Sequence, residues 1–242
     1  MNVLCIGNSF SQNATVYLHN ISKAAGLKLN VVNLYIGGCT LERHYRNMIG
    51  GRREYSLCYN GHNTNFMVTM EEALLNRKWD VITLQQASHE SFKPESYDPY
   101  ILEIATFVRR LQPKAKLLVH QTWAYEQGSI RLAETAGYET SRAMFADVKA
   151  AYEKAAKTIE ADGLIPSGEM MLGLCEQGME GLYLDTFHAS NGLGQYALAL
   201  LWYRMLTGMP VKDNSFQDFL EPIAPTDVAA VKAYVDSFQP IF

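Results

Sequence analysis

Short, nearly continuous apolar runs alternate with longer segments of helical period along this chain of 242 residues. Five runs read as strands: Asn2–Ile6, Leu29–Tyr35, Val81–Leu84, Lys116–His120 and a weaker one at Leu164–Pro166. They lack the apolar–polar alternation of a half-exposed sheet, so both faces are expected to be covered. Helices are predicted at Thr15–Ala25, Met70–Asn76, Pro99–Leu111, Arg142–Ala161, Leu193–Leu206 and Pro225–Ser237. In the fourth, Met144, Val148, Ala151, Ala155 and Ile159 recur at three- and four-residue spacing, with lysines and a glutamate off that stripe. The segment 193–206 is apolar almost all round, which places it in the core, and Gly208 and Pro210 end it. Strands alternating with helices predict βαβ units and a parallel sheet. Two long stretches, about 36–69 and 121–141, break the alternation. Both follow strands, so both emerge at the carboxyl edge, and loops of such length are usually functional.

Composition narrows the class. With 48% apolar and 19% charged residues the chain can bury a sizeable core, and its length suits a single α/β domain spanning 1–242. A net charge of −4, with arginine only in isolated pairs such as Arg52-Arg53 and Arg109-Arg110, argues against nucleic acid as a partner. Cys5, Cys39, Cys58 and Cys175 form no CxxC pair, which argues against a disulfide framework and a structural zinc site. His19, His44, His62, His89 and His120 include no i, i+4 helical pair, so no metal is expected. No apolar run reaches the 18 residues of a membrane span. A first strand starting at residue 2 leaves no room for a signal peptide. That favours the cytoplasm, or the periplasm or exterior if a leader has been removed. The oligomeric state stays open.

The candidate chemistry begins at Ser9, where Gly7-Asn8-Ser9 ends the first strand and delivers a hydroxyl to the edge at which open α/β sheets bind ligands. Alone, a serine in such a sequence is more often a turn residue, and Ser11 is the better helix N-cap. Asp185 and His188, three residues apart, supply what a serine nucleophile lacks: a base, and a carboxylate to fix its tautomer. Alone, that pair too is more often a solvated loop feature. The order Ser, Asp, His is that of α/β-hydrolases, yet their G-x-S-x-G elbow is absent. Gly37-Gly38 after the second strand and Gln85-Gln86 after the third offer backbone and side-chain donors for an oxyanion. Asn60 is a candidate hydrogen-bonding residue. Trp123 and Tyr125 lie in the second long stretch, where an aromatic ring stacks on a ligand or pins the loop to the core with equal physical merit.

Taken together, these residues resemble the SGNH (GDSL-like) hydrolase superfamily, in a divergent bacterial branch with Gly-Asn-Ser-Phe and Leu-Gln signatures. Gly7-Asn8-Ser9-Phe10-Ser11 looks like its first block, the segment ending Gly37-Gly38-Cys39-Thr40 like its second, and Asp185-Thr186-Phe187-His188 like its fifth. The third block departs: Leu84-Gln85-Gln86 stands where the superfamily usually has Gly-x-Asn-Asp. The resemblance implies a three-layer α/β/α, flavodoxin-like domain with a five-stranded parallel sheet, and ester hydrolysis without metal or cofactor. It implies Ser9, His188 and Asp185 as the triad, with Ser9 N–H, Gly38 N–H and the Gln85 amide as oxyanion donors. Gln86, Asn60, Trp123 and Tyr125 are then the expected substrate contacts. The substrate would be a small-molecule or carbohydrate ester, acetyl esters among them. The alternative is a non-catalytic carbohydrate or small-ligand binding module on the same fold.

Overall fold

The computed structural model describes residues Met1–Phe242. Strands β1 (Asn2–Gly7), β2 (Asn30–Tyr35), β5 (Val81–Leu84), β6 (Lys116–His120) and β7 (Gly163–Ile165) form where continuous apolar runs predict them. They pair in parallel in the order β2-β1-β5-β6-β7, with Val3 of β1 opposite both Val31 and Val81. The sheet is nonetheless seven-stranded. β3 (Tyr55–Tyr59) and β4 (His62–Val68) add an antiparallel hairpin to the β2 edge.

That hairpin corrects the expectation of an irregular stretch. Asn60 and Gly61 form its two-residue turn with φ of 49° and 88°, the doubly positive turn whose twist suits antiparallel strands. The strands escape an apolar reading because β4 is exposed at every position but Val68. The outer strand of an edge hairpin has no second layer to face.

Alternation along β1 divides the interior. Val3 and Cys5 point into a core of 33 buried residues, whereas Leu4 and Ile6 point into one of 32 on the other face. Helices α1 (Ser9–Thr15), α2 (Leu18–Ala24), α7 (Ser167–Glu176), α8 (Leu193–Thr207) and α9 (Pro225–Asp236) cover the first face. Helices α3 (Leu41–Ile49), α4 (Met70–Leu75), α5 (Tyr100–Leu111) and α6 (Ser141–Thr158) cover the second. The three-layer α/β/α arrangement is therefore the one expected. Helix α8 buries 13 of its 15 residues and ends at Gly208, whose φ is 69°. No helix is long and apolar enough to cross a membrane.

Two departures matter for function. The helix expected at 15–25 is α2, and an unexpected helix, α1, precedes it and starts at Ser9 itself, directly after β1. Helix α3 lies in a stretch read as loop: its inward face mixes the polar His44 and Asn47 with Leu41, Tyr45 and Met48, which dilutes the apolar signal. Its start is nevertheless marked by Thr40, whose side chain accepts from Arg43 N–H at 3.2 Å.

Candidate active site

At the end of β1 the chain turns through Asn8, the actual N-cap of α1. Asn8 Oδ1 accepts from Phe10 N–H at 3.1 Å, and its amide donates to the Cys39 carbonyl at 3.1 Å. One side chain thus starts the helix and ties the ends of β1 and β2 together. Ser9 falls at the first helical position, where the backbone N–H has no intrahelical acceptor. After β2 the chain turns at Gly38, whose φ of 60° suits a residue without Cβ. The Gly38 N–H also has no acceptor within the protein. Both residues line one open cleft of about 530 Å³.

The imidazole arrives from the far end of the chain. A short loop is closed by a bridge between Tyr183 and Ala189 and by Leu184 N–H donating to His188 O at 2.9 Å. At its tip Thr186 adopts a φ of 73°, an outlier for a β-branched residue. Surrounding bonds hold that conformation: Thr186 O accepts from Glu126 N–H at 2.8 Å, and Phe187 O from the Trp123 indole at 2.8 Å. His188 Nε2 comes to 2.9 Å from Ser9 Oγ, and its Nδ1 lies 2.8 Å from Asp185 Oδ2. The other Asp185 oxygen accepts from His188 N–H at 2.8 Å and, less closely, from Phe187 N–H. Burial works against ionisation of Asp185, but these bonds outweigh it and hold the carboxyl below its ordinary 3.8. An ionised Asp185 accepts a hydrogen bond from Nδ1–H, leaving the Nε2 lone pair facing the serine hydroxyl.

Beneath lies a second polar chain. Ser11 Oγ donates to Gln85 Oε1 at 2.8 Å, the Gln85 amide donates to His120 Nδ1 at 3.1 Å, and His120 Nε2 lies 3.0 Å from Ser167 Oγ. Burial pushes His120 down to about 3, so the ring is neutral, with one nitrogen accepting and the other donating. Gly7 makes this chain possible, since a Cβ there would stand 2.2 Å from Ser11 Oγ and 2.7 Å from Gln85 Oε1.

The expected site residues separate. Ser9, Gly38, Tyr125, Asp185 and His188 gather at the cleft. Gln85 does not: its amide is engaged by His120 below Ser9, so the expected third oxyanion donor is withdrawn. Gln86 is also structural, accepting from Leu41 N–H at the start of α3 and donating to Ser96. Asn60 lies in the hairpin turn and accepts from Val31 N–H, near the amino end of β2 and away from the cleft. Trp123 is fully buried, stacked on Phe10 with ring centroids 4.2 Å apart, so it supports the site from below. Ser11, expected as a helix cap, is buried in the second chain. Ser88, Phe187 and Arg131 line the cleft though no motif marks them, and so does His89, which follows a strand end. Arg131 sits inside a stretch whose length was its one signal. No three His, Cys, Asp or Glu side chains converge to hold a metal ion.

Comparison with known proteins gives these features a family. No curated protein matches the sequence. The crystal structure of a DUF4886 family protein from Bacteroides uniformis is 31% identical, covers 98% of this chain and 93% of that one, and superposes with a TM-score of 0.91. A candidate SGNH hydrolase from Slackia heliotrinireducens is 22% identical over 85% of this chain and 98% of its own, with a TM-score of 0.61. Axe2, an acetylxylan esterase from Geobacillus stearothermophilus, is 15% identical over 89% of this chain and 94% of its own, with a TM-score of 0.52. At these identities the last two establish architecture alone, and that architecture is the SGNH-type α/β/α fold. Residues 2–235 match the family described as Domain of unknown function (DUF4886), and the chain belongs to that family.

Proposed function

We propose that this protein is a serine esterase. The reading is carried by one observation: Ser9 Oγ and His188 Nε2 lie 2.9 Å apart although 179 residues separate them in the chain. A hydroxyl at that distance from an oriented imidazole can lose its proton as it attacks. Ser9 adds to the acyl carbonyl while His188 takes the hydroxyl proton. The developing oxyanion is met by the free N–H groups of Ser9 and Gly38, each worth about 3 kcal/mol where such donors have been removed in other enzymes. His188 then returns the proton to the departing alcohol, and water repeats the sequence on the acyl-enzyme. Asp185 keeps the imidazole in the required tautomer throughout. The fold shared with an acetylxylan esterase supports an acetyl group on a carbohydrate-linked alcohol.

The test is stoichiometric labelling by a fluorophosphonate together with turnover of an aryl acetate. Labelling should map to Ser9, and Ser9→Ala should lower kcat/KM by at least about 10³-fold. Undiminished turnover in Ser9→Ala, or no labelling and no turnover in the native protein, would overturn the reading.

A further inference from the structure

Of the side chains that line the cleft, Arg131 alone carries a permanent charge. It opens a five-residue π-helical segment, Arg131–Thr135, a rare conformation that concentrates at functional sites. Its guanidinium carbon lies 4.0 Å from the centroid of the Phe187 ring and 5.7 Å from that of Tyr125. Stacking of this kind fixes the guanidinium plane while leaving its N–H donors at the rim. No carboxylate in the chain forms an ion pair with it. Its polar neighbour is the uncharged Tyr125 hydroxyl. Arg43, Arg46, Arg52, Arg53 and Arg142 each meet a glutamate, whereas Arg77, Arg109, Arg110 and Arg204, also without an ion pair, do not line the cleft. A partly buried, oriented and unpaired guanidinium is prepared for an anion that the protein itself does not supply.

Its position indicates which part of a substrate it would meet. The Phe187 ring under Arg131 lies 3.9 Å, centroid to centroid, from the His188 ring. In the esterase reading, on which this inference rests, His188 protonates the departing alcohol. Arg131 therefore stands on the alcohol side of Ser9. We propose that Arg131 selects esters whose alcohol portion carries a carboxylate, such as an acylated hydroxy acid or acidic sugar. The competing role is mechanical, a cation clamped between two rings to hold the π-helical segment in place.

A matched pair separates these roles: 4-acetoxybenzoate and its methyl ester share the acyl group and differ in charge on the alcohol side. The native protein should favour the carboxylate in kcat/KM by about tenfold, although the methyl ester has the better leaving group. Arg131→Gln should erase that ratio and Arg131→Lys should restore part of it. A purely mechanical role lowers both rates together and leaves the ratio standing, which would overturn the proposal. So would a preference that appears only when the carboxylate is moved to the acyl side, in an aryl monoester of adipic acid against its methyl diester. Calorimetry in the Ser9→Ala background keeps the two readings apart. There, 4-acetoxybenzoate should bind about tenfold more weakly once Arg131→Gln is added. That loss in a protein without native turnover would refute the esterase while sustaining the anion site. Equal binding with and without Arg131 would refute the anion site whatever the turnover.

Discussion

Two hydroxyl–imidazole chains lie one above the other in this molecule, and both start from α1. The upper runs from Ser9 to His188 to Asp185, the lower from Ser11 through Gln85 to His120 and Ser167. Their residue types overlap, but their environments do not. Asp185 and His188 are 44% and 25% exposed, and the Ser9 hydroxyl opens on a cleft. Every group of the lower chain is buried, and a neutral amide stands where the upper chain has direct contact with a base. An imidazole held at about 3 by burial is a poor proton acceptor near neutral pH. What separates the two hydroxyls here is the orienting carboxylate, the direct contact and the access.

The sharpest way to break that comparison is to exchange the consequences of the two serines. Ser9→Ala should remove turnover by at least about 10³-fold while leaving the fold intact. Ser11→Ala should keep turnover within about tenfold but lower stability by about 1–3 kcal/mol, read from urea midpoints, because it opens a buried hydrogen-bonded chain. Loss of turnover in a well-folded Ser11→Ala protein would show the chains to be one catalytic unit. Next in size, Asp185→Asn should reduce kcat by roughly 10²–10⁴-fold, since the base survives in the wrong tautomer. The urea midpoint should barely move for so exposed a side chain, and unchanged kcat would remove the orienting role.

The smallest effect per step is in pH and concerns the buried imidazoles. His120 and His44 are each depressed by burial from 6.5 to about 3. Between those values the unfolded chain holds more protons than the folded one, so stability falls as pH drops through the window from 6.5 toward 3. The slope should be on the order of 1 kcal/mol per pH unit for each ring. Asp185, whose carboxyl is held below 3.8, stabilises above its unfolded value and loses that contribution only lower in the acid range. Urea midpoints at pH 7, 5.5 and 4.5 test the order. A flat profile down to pH 4.5 would mean the rings are not held neutral.

Legibility followed the same physical divide. The parallel strands can be read because both their faces are apolar, and α8 because it is apolar all round. The β3–β4 hairpin carries a strong turn signal in Asn60-Gly61, but its exposed outer strand has no core to impose a pattern. Helices α3 and α7 are obscured for different reasons: α3 buries polar side chains, and α7 begins Ser167-Gly168 and holds a second glycine at Gly173. In the site, Ser9, Asp185 and His188 are legible because their chemistry depends on residue type and loop position. Gln85 is not, because a strand end fixes location and leaves open which layer receives the side chain. Leu84 points into the second core, so Gln85 falls toward α1, where Ser11 and His120 engage it. Arg131 has no periodic or motif signal, and its meaning comes from two rings and an absent carboxylate.

The separation of Ser9 from His188 by 179 residues also bears on how the protein is made. Ser9 leaves the ribosome well before His188. At about 5–20 residues per second, roughly 10 to 35 seconds pass between them. During that interval the nascent serine has neither its base nor its orienting carboxylate. In the proposed esterase, reactivity appears only after the loop ahead of α8 has docked on α1, so labelling of Ser9 would report that docking.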